Sequence, residues 1–213
     1  MGRYLGINRL MLAWIASGLV VIGMSSCGHL IETNEQGQVK RAFESWKSAM
    51  ISQQIDGAMG YIPHHVDDYL HSLNSDAAKS PPSASAAVSQ SPAVDMLLRM
   101  ALEKKVPADL RSNLTLATLV QRISDRHLLN PHEVQDVTLG RVTINGNRAN
   151  AEVYYQGSLT ALLLPFVKED GAWKIDVMAI LPYAEVLMRV DRAIKGETVE
   201  EQVDQLVSKL PSL

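Results

Sequence analysis

Hydrophobic residues recur with a helical period through the first half of the chain. Val39, Phe43, Trp46 and Met50 fall on one side of a helix at 100° per residue, which predicts a first amphipathic helix. A short second element contains Met59 and Ile62 and is predicted to be capped by Asp56. Three longer helices are then predicted: one from Pro63 to about Leu73, one with Ser91 as N-cap and Pro92 at its first position, and one from Leu116 to about Arg126.

From Val137 onward, apolar and polar residues alternate as they do in strands. Two hairpins are predicted: residues 137–144 with 148–156 across Asn145-Gly146-Asn147, and residues 162–168 with 173–180 across Glu169-Asp170-Gly171. Pro165 has no backbone N–H and therefore predicts an edge position or a bulge. Two helices follow, and Thr198 and Glu201 form a capping box for the last one.

Helices that precede an antiparallel meander indicate the α+β class. We predict helices packed on one face of a curved antiparallel sheet of about four strands, with two extra C-terminal helices. Residues 39–213 are interpreted as a single domain. A segment rich in Ser, Ala and Pro, at about residues 75–92, is predicted to be a flexible insertion within that domain.

The sequence of the second predicted hairpin is similar to that of a known superfamily. It reads Pro-Phe-Val-Lys-Glu-Asp-Gly-Ala-Trp-Lys-Ile-Asp from Pro165 to Asp176. Together with a first helix that bears Phe43 and Trp46, it resembles the nuclear transport factor 2-like superfamily. That cone-shaped, cystatin-like fold includes ketosteroid isomerase and polyketide cyclases. The resemblance covers about residues 39–181 and implies a site on the concave sheet face. The candidate pocket-lining residues are Tyr61, Tyr155, Trp173 and Val177.

Strand alternation predicts which side chains face that concavity. Ala149, Ala151 and Val153 share the apolar side of the second strand, so Glu152 is expected to point outward. The same argument sends Asp176 to the wet side of the fourth strand. Enzymes of the superfamily use a carboxylate or histidine base in the pocket. No catalytic residue is therefore carried over to this chain.

The chain begins with the three-part pattern of an export signal. Arg3 and Arg9 precede the uncharged residues 10–24, and the only cysteine, Cys27, follows two serines. A 15-residue helix spans roughly 22 Å, less than the roughly 30 Å of a bilayer core, which favours a cleaved signal over a permanent span. Met24-Ser25-Ser26-Cys27 resembles the lipobox of bacterial lipoproteins and implies lipidation of Cys27. Residues 1–26 are then the signal peptide and residues 27–38 a tether.

Composition narrows the classes of partner. The formal net charge is −3, and the only charges in the leader are arginines, so the remaining chain is more acidic still. With no basic cluster, we expect no nucleic-acid partner. No phosphate loop, dinucleotide fingerprint or zinc-protease helix occurs, and no cofactor is predicted.

Two histidines and an aspartate have the spacing of metal ligands on a helix. His64, Asp68 and His71 share one face, but that face lies opposite the apolar face of Val66 and Leu70. A tight site needs a second shell of supporting side chains, which a solvated face lacks. We therefore predict no metal site there.

The favoured function is a lipid-anchored cell-envelope protein whose non-catalytic domain binds a partner protein or a small apolar ligand. The membrane is a partner through Cys27. By analogy with enterobacterial sorting, Gly28 after the cysteine implies the outer membrane, facing the periplasm, if the cell has two membranes. A cyclase- or isomerase-like enzyme that uses the cone pocket is one alternative. A membrane-anchored secretion-assembly component is the other, and it requires residues 10–24 to stay uncleaved.

Overall fold

The computed structural model describes residues 34–76, 92–111, 113–126 and 134–213. These residues form eight α-helices and one four-stranded antiparallel sheet, and two of the helices follow the sheet. The predicted α+β class is thereby confirmed. The predicted leader, Cys27, residues 27–33 of the predicted tether, residues 77–91 of the predicted insertion and the predicted cap Ser91 lie outside the described residues.

Along the chain, one group of helices precedes the sheet and a second group follows it. The first helices are α1 Asn34–Ile51, α2 Ile55–Met59, α3 His65–Asp76, α4 Pro92–Lys105, α5 Ala108–Arg111 and α6 Leu116–Asp125. The strands are β1 Val137–Asn145, β2 Arg148–Tyr155, β3 Ser158–Glu169 and β4 Ala172–Ile175. A 3-10 turn Val177–Ile180, α7 Leu181–Lys195 and α8 Val199–Lys209 complete the chain.

The chain divides into two compact units. The sheet unit comprises, among the described residues, 34–63 and 134–177, so it holds α1, α2 and the whole sheet. The helical unit comprises residues 64–76, 92–111, 113–126 and 178–213, so it holds α3 to α8. The single domain expected from the sequence stays a prediction.

In the sheet unit, α1 packs against β1 and β4. Val39 and Phe43 are buried, as the helical period predicts. Three side-chain bonds tie α1 to the strands: Lys168 Nζ lies 2.8 Å from Glu35 Oε1, Gln36 donates to the Val142 carbonyl and Lys47 donates to the Val137 carbonyl. The helix starts at Asn34, so residues 34–38, predicted to be part of the tether, are helical instead.

The sheet has the order β1-β2-β3-β4, and neighbouring strands are joined by short turns. Gln156 and Gly157 both have positive φ, as does the pair Asp170 and Gly171. Two such residues match the twist of the flanking strands in a hairpin, and glycine adopts this conformation without strain. The turn at Gln156-Gly157 was missed from the sequence, and β3 therefore begins four residues earlier than predicted, at Ser158.

Pro165 lies in β3, an inner strand between β2 and β4, and so does not lie on an edge strand. It stands where the pairing of β3 with β4 ends, because Phe166 is the last β3 residue level with a residue of β4. The Pro165 carbonyl accepts a hydrogen bond from Asp176 N at 2.9 Å, just beyond the end of β4, and Pro165, which has no N–H, returns none. The predicted fourth strand is too long, because residues 177–180 form the 3-10 turn.

In the helical unit, α4 packs against α3, α7 and α8. Leu73, Leu102, Val106 and Leu114 form its buried cluster. The predicted capping box of α8 is confirmed: Thr198 N donates to Glu201 Oε2, and Glu201 N donates to Thr198 Oγ1. Asp56 does not cap α2 as predicted, because Gln54 is the N-cap residue and Asp56 lies in the first turn.

Candidate functional site

The four candidate pocket-lining residues all lie in the sheet unit but are spread along it. The Tyr61 carbonyl accepts from Ile175 N at 2.8 Å, and Ile175 is level with Phe166 and Ala149 across the sheet. Tyr155 is six residues further along β2, about 20 Å away at the rise of a strand. Tyr61 and Tyr155, both half-buried, therefore do not meet at one point.

Trp173 is the most buried of the four, at 3 % exposure. Lys168 Nζ lies 5.5 Å from its ring centroid, within cation–π range, and also pairs with Glu35. The indole Nε1 is buried and has no hydrogen-bond acceptor among the described residues. Val177, the fourth candidate, is half-buried in the 3-10 turn and so is not a strand residue as predicted.

Glu152 is held in place by an arginine on the neighbouring strand. The register of β1 and β2 shifts between Leu139 and Val142, so Gly140 and Arg141 together oppose Glu152 in a bulge. Arg141 donates to Glu152 Oε1 through Nε at 3.0 Å and through an Nη at 2.7 Å, and its backbone N–H donates to Oε2. The Glu152 carboxylate raises the pKa of Arg141. Glu152 therefore stabilises the bulge, and its oxygens are engaged by donors.

Asp176 is buried at 5 % exposure, and the prediction that it faces solvent is wrong. Alternation places it on the expected face, that of Lys174 and Arg148, and an Arg148 Nη lies 3.9 Å from Asp176 Oδ2. β4 ends at Ile175, and after Asp176 the chain turns at once into the 3-10 turn. A strand pattern cannot show this, because its two-residue period stops where the strand stops.

The same sheet face carries a second buried charge. Lys174 is 9 % exposed, and its ammonium group lies 2.5 Å from Glu169 Oε2. A buried ammonium group requires an opposite charge to offset the loss of hydration, and Glu169 supplies it. Strand alternation predicted neither the burial of Lys174 nor its pairing with Glu169.

The histidines lie in or beside α3 in the helical unit, as expected. His64, Asp68 and His71 are exposed, whereas Val66 and Leu70 on the opposite side are buried. Asp67 has a role that the sequence did not suggest. Its Oδ1 accepts from Leu116 N at 2.7 Å, so it caps the first turn of α6.

A tyrosine–aspartate pair joins α3 to α4. The Tyr69 hydroxyl donates to Asp95 Oδ1. Burial raises the pKa of Tyr69, and the hydrogen bond to Asp95 and its negative charge raise it further. Tyr69 also packs against the buried cluster of Leu73 and Leu102. The pair therefore stabilises the packing of α3 on α4.

Helix α7 presents its apolar side outward. Five large side chains are exposed: Tyr183 37 %, Val186 42 %, Leu187 38 %, Val190 50 % and Ile194 80 %. At 100° per residue they span one continuous side of the helix. We call these five residues the α7 face. They account for five of the eight large exposed hydrophobic side chains among the described residues.

The side of α7 that faces the helical unit combines half-buried apolar residues with polar residues that bond within the unit. Glu185 Oε2 accepts from Ala93 N at 2.8 Å and from Val94 N at 3.1 Å, so it caps the first turn of α4. Gln202, 3 % exposed on α8, donates to Asp191 and to the Met188 carbonyl. An ordinary surface helix buries its apolar residues, whereas α7 leaves a continuous apolar side exposed.

Comparisons with protein-family models, with curated proteins and with solved structures found no match for this chain. Among the residues that the structure describes, no helix has both the length and the apolar character needed to cross a membrane.

Proposed function

We propose that this protein is a lipid-anchored, non-catalytic interaction module of a bacterial cell envelope, and that it docks a protein partner through the α7 face. The observation that carries the proposal is the continuous apolar side that α7 leaves exposed. Contiguous exposed apolar patches of about 300–600 Å² are often functional. The exposed fractions of the side chains of the α7 face amount to about 300–400 Å².

The chemistry of the sheet unit favours binding over catalysis. A general base must have its lone pairs available to a substrate proton. Both carboxylate oxygens of Glu152 accept hydrogen bonds from Arg141, and the buried Lys174 forms an ion pair with Glu169. These charged groups are explained by the stability of the sheet.

The anchor and the docking face are tested separately. Incorporation of a palmitate analogue into the protein is expected to disappear in Cys27→Ser, and labelling that persists in this variant argues against the anchor. For the face, a photoreactive phenylalanine replaces Leu187 in cells. We expect covalent protein adducts there and none when it replaces Gln121, an exposed residue of α6. Equal yields at the two positions would refute docking through α7.

A second candidate function rests on the burial of Asp176. A buried carboxylate is typical of a cyclase- or isomerase-like general base, and Asp176 is 5 % exposed. Active-site residues often lower the stability of the folded protein. If Asp176 is catalytic, Asp176→Asn is expected to raise Tm by several degrees, while Glu152→Gln lowers it. A lower Tm in both variants assigns Asp176 a structural role.

A further inference from the structure

We propose that the partner of the α7 face is the α7 face of a second copy of this chain, so that two α7 helices pair antiparallel about a two-fold axis. The proposal rests on the proposed function, because it names the partner of that same docking face. It draws on the spacing, shape, area and charge of α7.

The spacing along α7 is that of a helix made to pack against another helix. Tyr183 and Val190 are seven residues apart, Val186 and Leu187 lie between them, and Ile194 follows four residues after Val190. In heptad terms, Tyr183 and Val190 occupy a, Val186 occupies d, and Leu187 and Ile194 occupy e. This pattern of a, d and e is typical of helices that face a bundle core.

The α7 face is complementary to itself when one copy is reversed. A two-fold axis beside Met188 and Arg189 sets Tyr183 level with Ile194 of the second copy and Leu187 level with Val190 of the second copy. The largest side chain then meets the most exposed one at both ends of the pair. An isologous contact of this kind closes on itself as a dimer.

The area suits a specific dimer. A standard interface buries about 800 Å² per partner, a little over half of it nonpolar. The α7 face supplies about 300–400 Å² of nonpolar surface per copy, most of the nonpolar share, and the flanking side chains supply the rim.

The side-chain types favour protein over lipid. Helices that lie in a membrane interface combine Trp, Phe or Leu on the apolar side with many Lys and Arg on the polar side. The α7 face has neither Trp nor Phe, and three of its five residues are β-branched. Such side chains have one preferred rotamer in a helix, so ordering them at an interface costs little entropy. Lys195, at the end of α7, is paired with Asp191 at 2.7 Å.

The first test measures mass and affinity on the full chain purified in detergent. Light scattering is expected to give twice the protein mass of one chain. Leu187→Asp is expected to raise the dimer Kd at least about 100-fold, because each copy then buries an unpaired carboxylate. The matched control is Leu163→Asp on β3, 54 % exposed, with an expected change of less than about threefold.

A second variant, Ile194→Asp, tests whether misfolding, and not loss of the interface, causes the increase in the dimer Kd. Ile194 is 80 % exposed, so a charge there leaves a monomer intact, yet it should weaken the dimer at least about tenfold. A monomeric wild-type chain at about 100 µM, where any dimer of useful affinity would form, overturns the proposal. Equal weakening by Leu163→Asp and Leu187→Asp overturns it as well.

The second test addresses orientation. In a Cys27→Ser background, which removes the only cysteine, Tyr183→Cys and Ile194→Cys are prepared as separate proteins. A mixture of the two is expected to form a disulfide dimer, and neither protein alone should do so. A disulfide dimer in each protein alone would indicate parallel helices and overturn the antiparallel pair.

The photo-crosslinks at position 187 separate the two proposals. Adducts of doubled mass support the second copy as partner. Adducts of other masses alone overturn it and leave the docking function standing. No adduct above the Gln121 control overturns both.

Discussion

Helix α1 of the sheet unit and helix α7 of the helical unit differ in the side chains that they bury. Val39 and Phe43 of α1 are buried, as the helical period requires. Helix α7 turns Glu185 and Asp191 toward its neighbours and leaves five apolar side chains exposed. Hydrogen bonds of Glu185 and Asp191 contribute to the orientation of α7, so the period of its apolar residues does not by itself decide which side is buried.

The largest expected effect tests the ordinary core of the sheet unit. Phe43 is 2 % exposed and its ring lies 5.8 Å from that of Trp46. Phe43→Ala is expected to lower the free energy of unfolding by about 3–5 kcal/mol, through lost burial and the cavity left behind. Urea unfolding followed by tryptophan fluorescence measures it. Leu163→Ala on exposed β3 is the control, with a loss below about 1 kcal/mol. Similar losses in the two variants would contradict burial as the cause.

The next effect tests the cap that orients α7. Glu185→Ala removes the acceptor of two backbone N–H groups in the first turn of α4 and should cost about 1–3 kcal/mol. Glu185→Gln keeps an acceptor oxygen and is expected to lose less. Urea unfolding followed by far-ultraviolet circular dichroism compares the two. If Glu185→Ala is as stable as the wild type, the hydrogen bonds do not fix α7.

A third prediction concerns alkaline pH in the helical unit. The pKa of Tyr69 is raised in the folded state, and that of an unfolded tyrosine is about 10. Above about pH 10 the unfolded chain releases a proton that the folded chain retains, so the free energy of unfolding falls as pH rises. Tyr69→Phe is expected to make this decline shallower. Tyr61→Phe, in the sheet unit, should leave it unchanged, and identical slopes in both variants would argue against the Tyr69–Asp95 bond.

The smallest expected effect on stability is that of Asp191 at acid pH. Lys195 lowers the pKa of Asp191, with burial opposing and the hydrogen bond from Gln202 assisting. A lowered pKa gives a stability contribution that is present above the unfolded pKa, about 4, and is lost as pH falls through the folded pKa. Because Asp191 is nearly half exposed, the contribution is below about 1 kcal/mol. Asp191→Asn should flatten the acid limb of a Tm-against-pH curve, and Asp204→Asn should not. Equal acid limbs in the wild type and Asp191→Asn would exclude this contribution.

Much of the fold could be predicted because its signals are local. The turns at Gly146-Asn147 and Asp170-Gly171, the capping box of Thr198 and Glu201, and the helical period of α1 each depend on residues close in sequence. The turn at Gln156-Gly157 was missed because a glutamine rarely adopts positive φ. The pairing of Arg141 with Glu152 was harder to predict, because the two residues meet only through a bulge in β1.

The sequence by itself determined the class of fold, the order of the elements and the sheet face on which each strand residue lies, because these follow from periods of two and 3.6 residues. Only the tertiary structure decided that Asp176 is buried and that α7 faces outward with its apolar side. The orientation of α7 depends on residues distant in the chain, because Glu185 bonds to Ala93 and Val94 more than 90 positions away. Hydrophobic periodicity shows that a helix has two sides. For α7, the hydrogen-bonding groups of α4 and α8 contribute to which of the two sides faces inward.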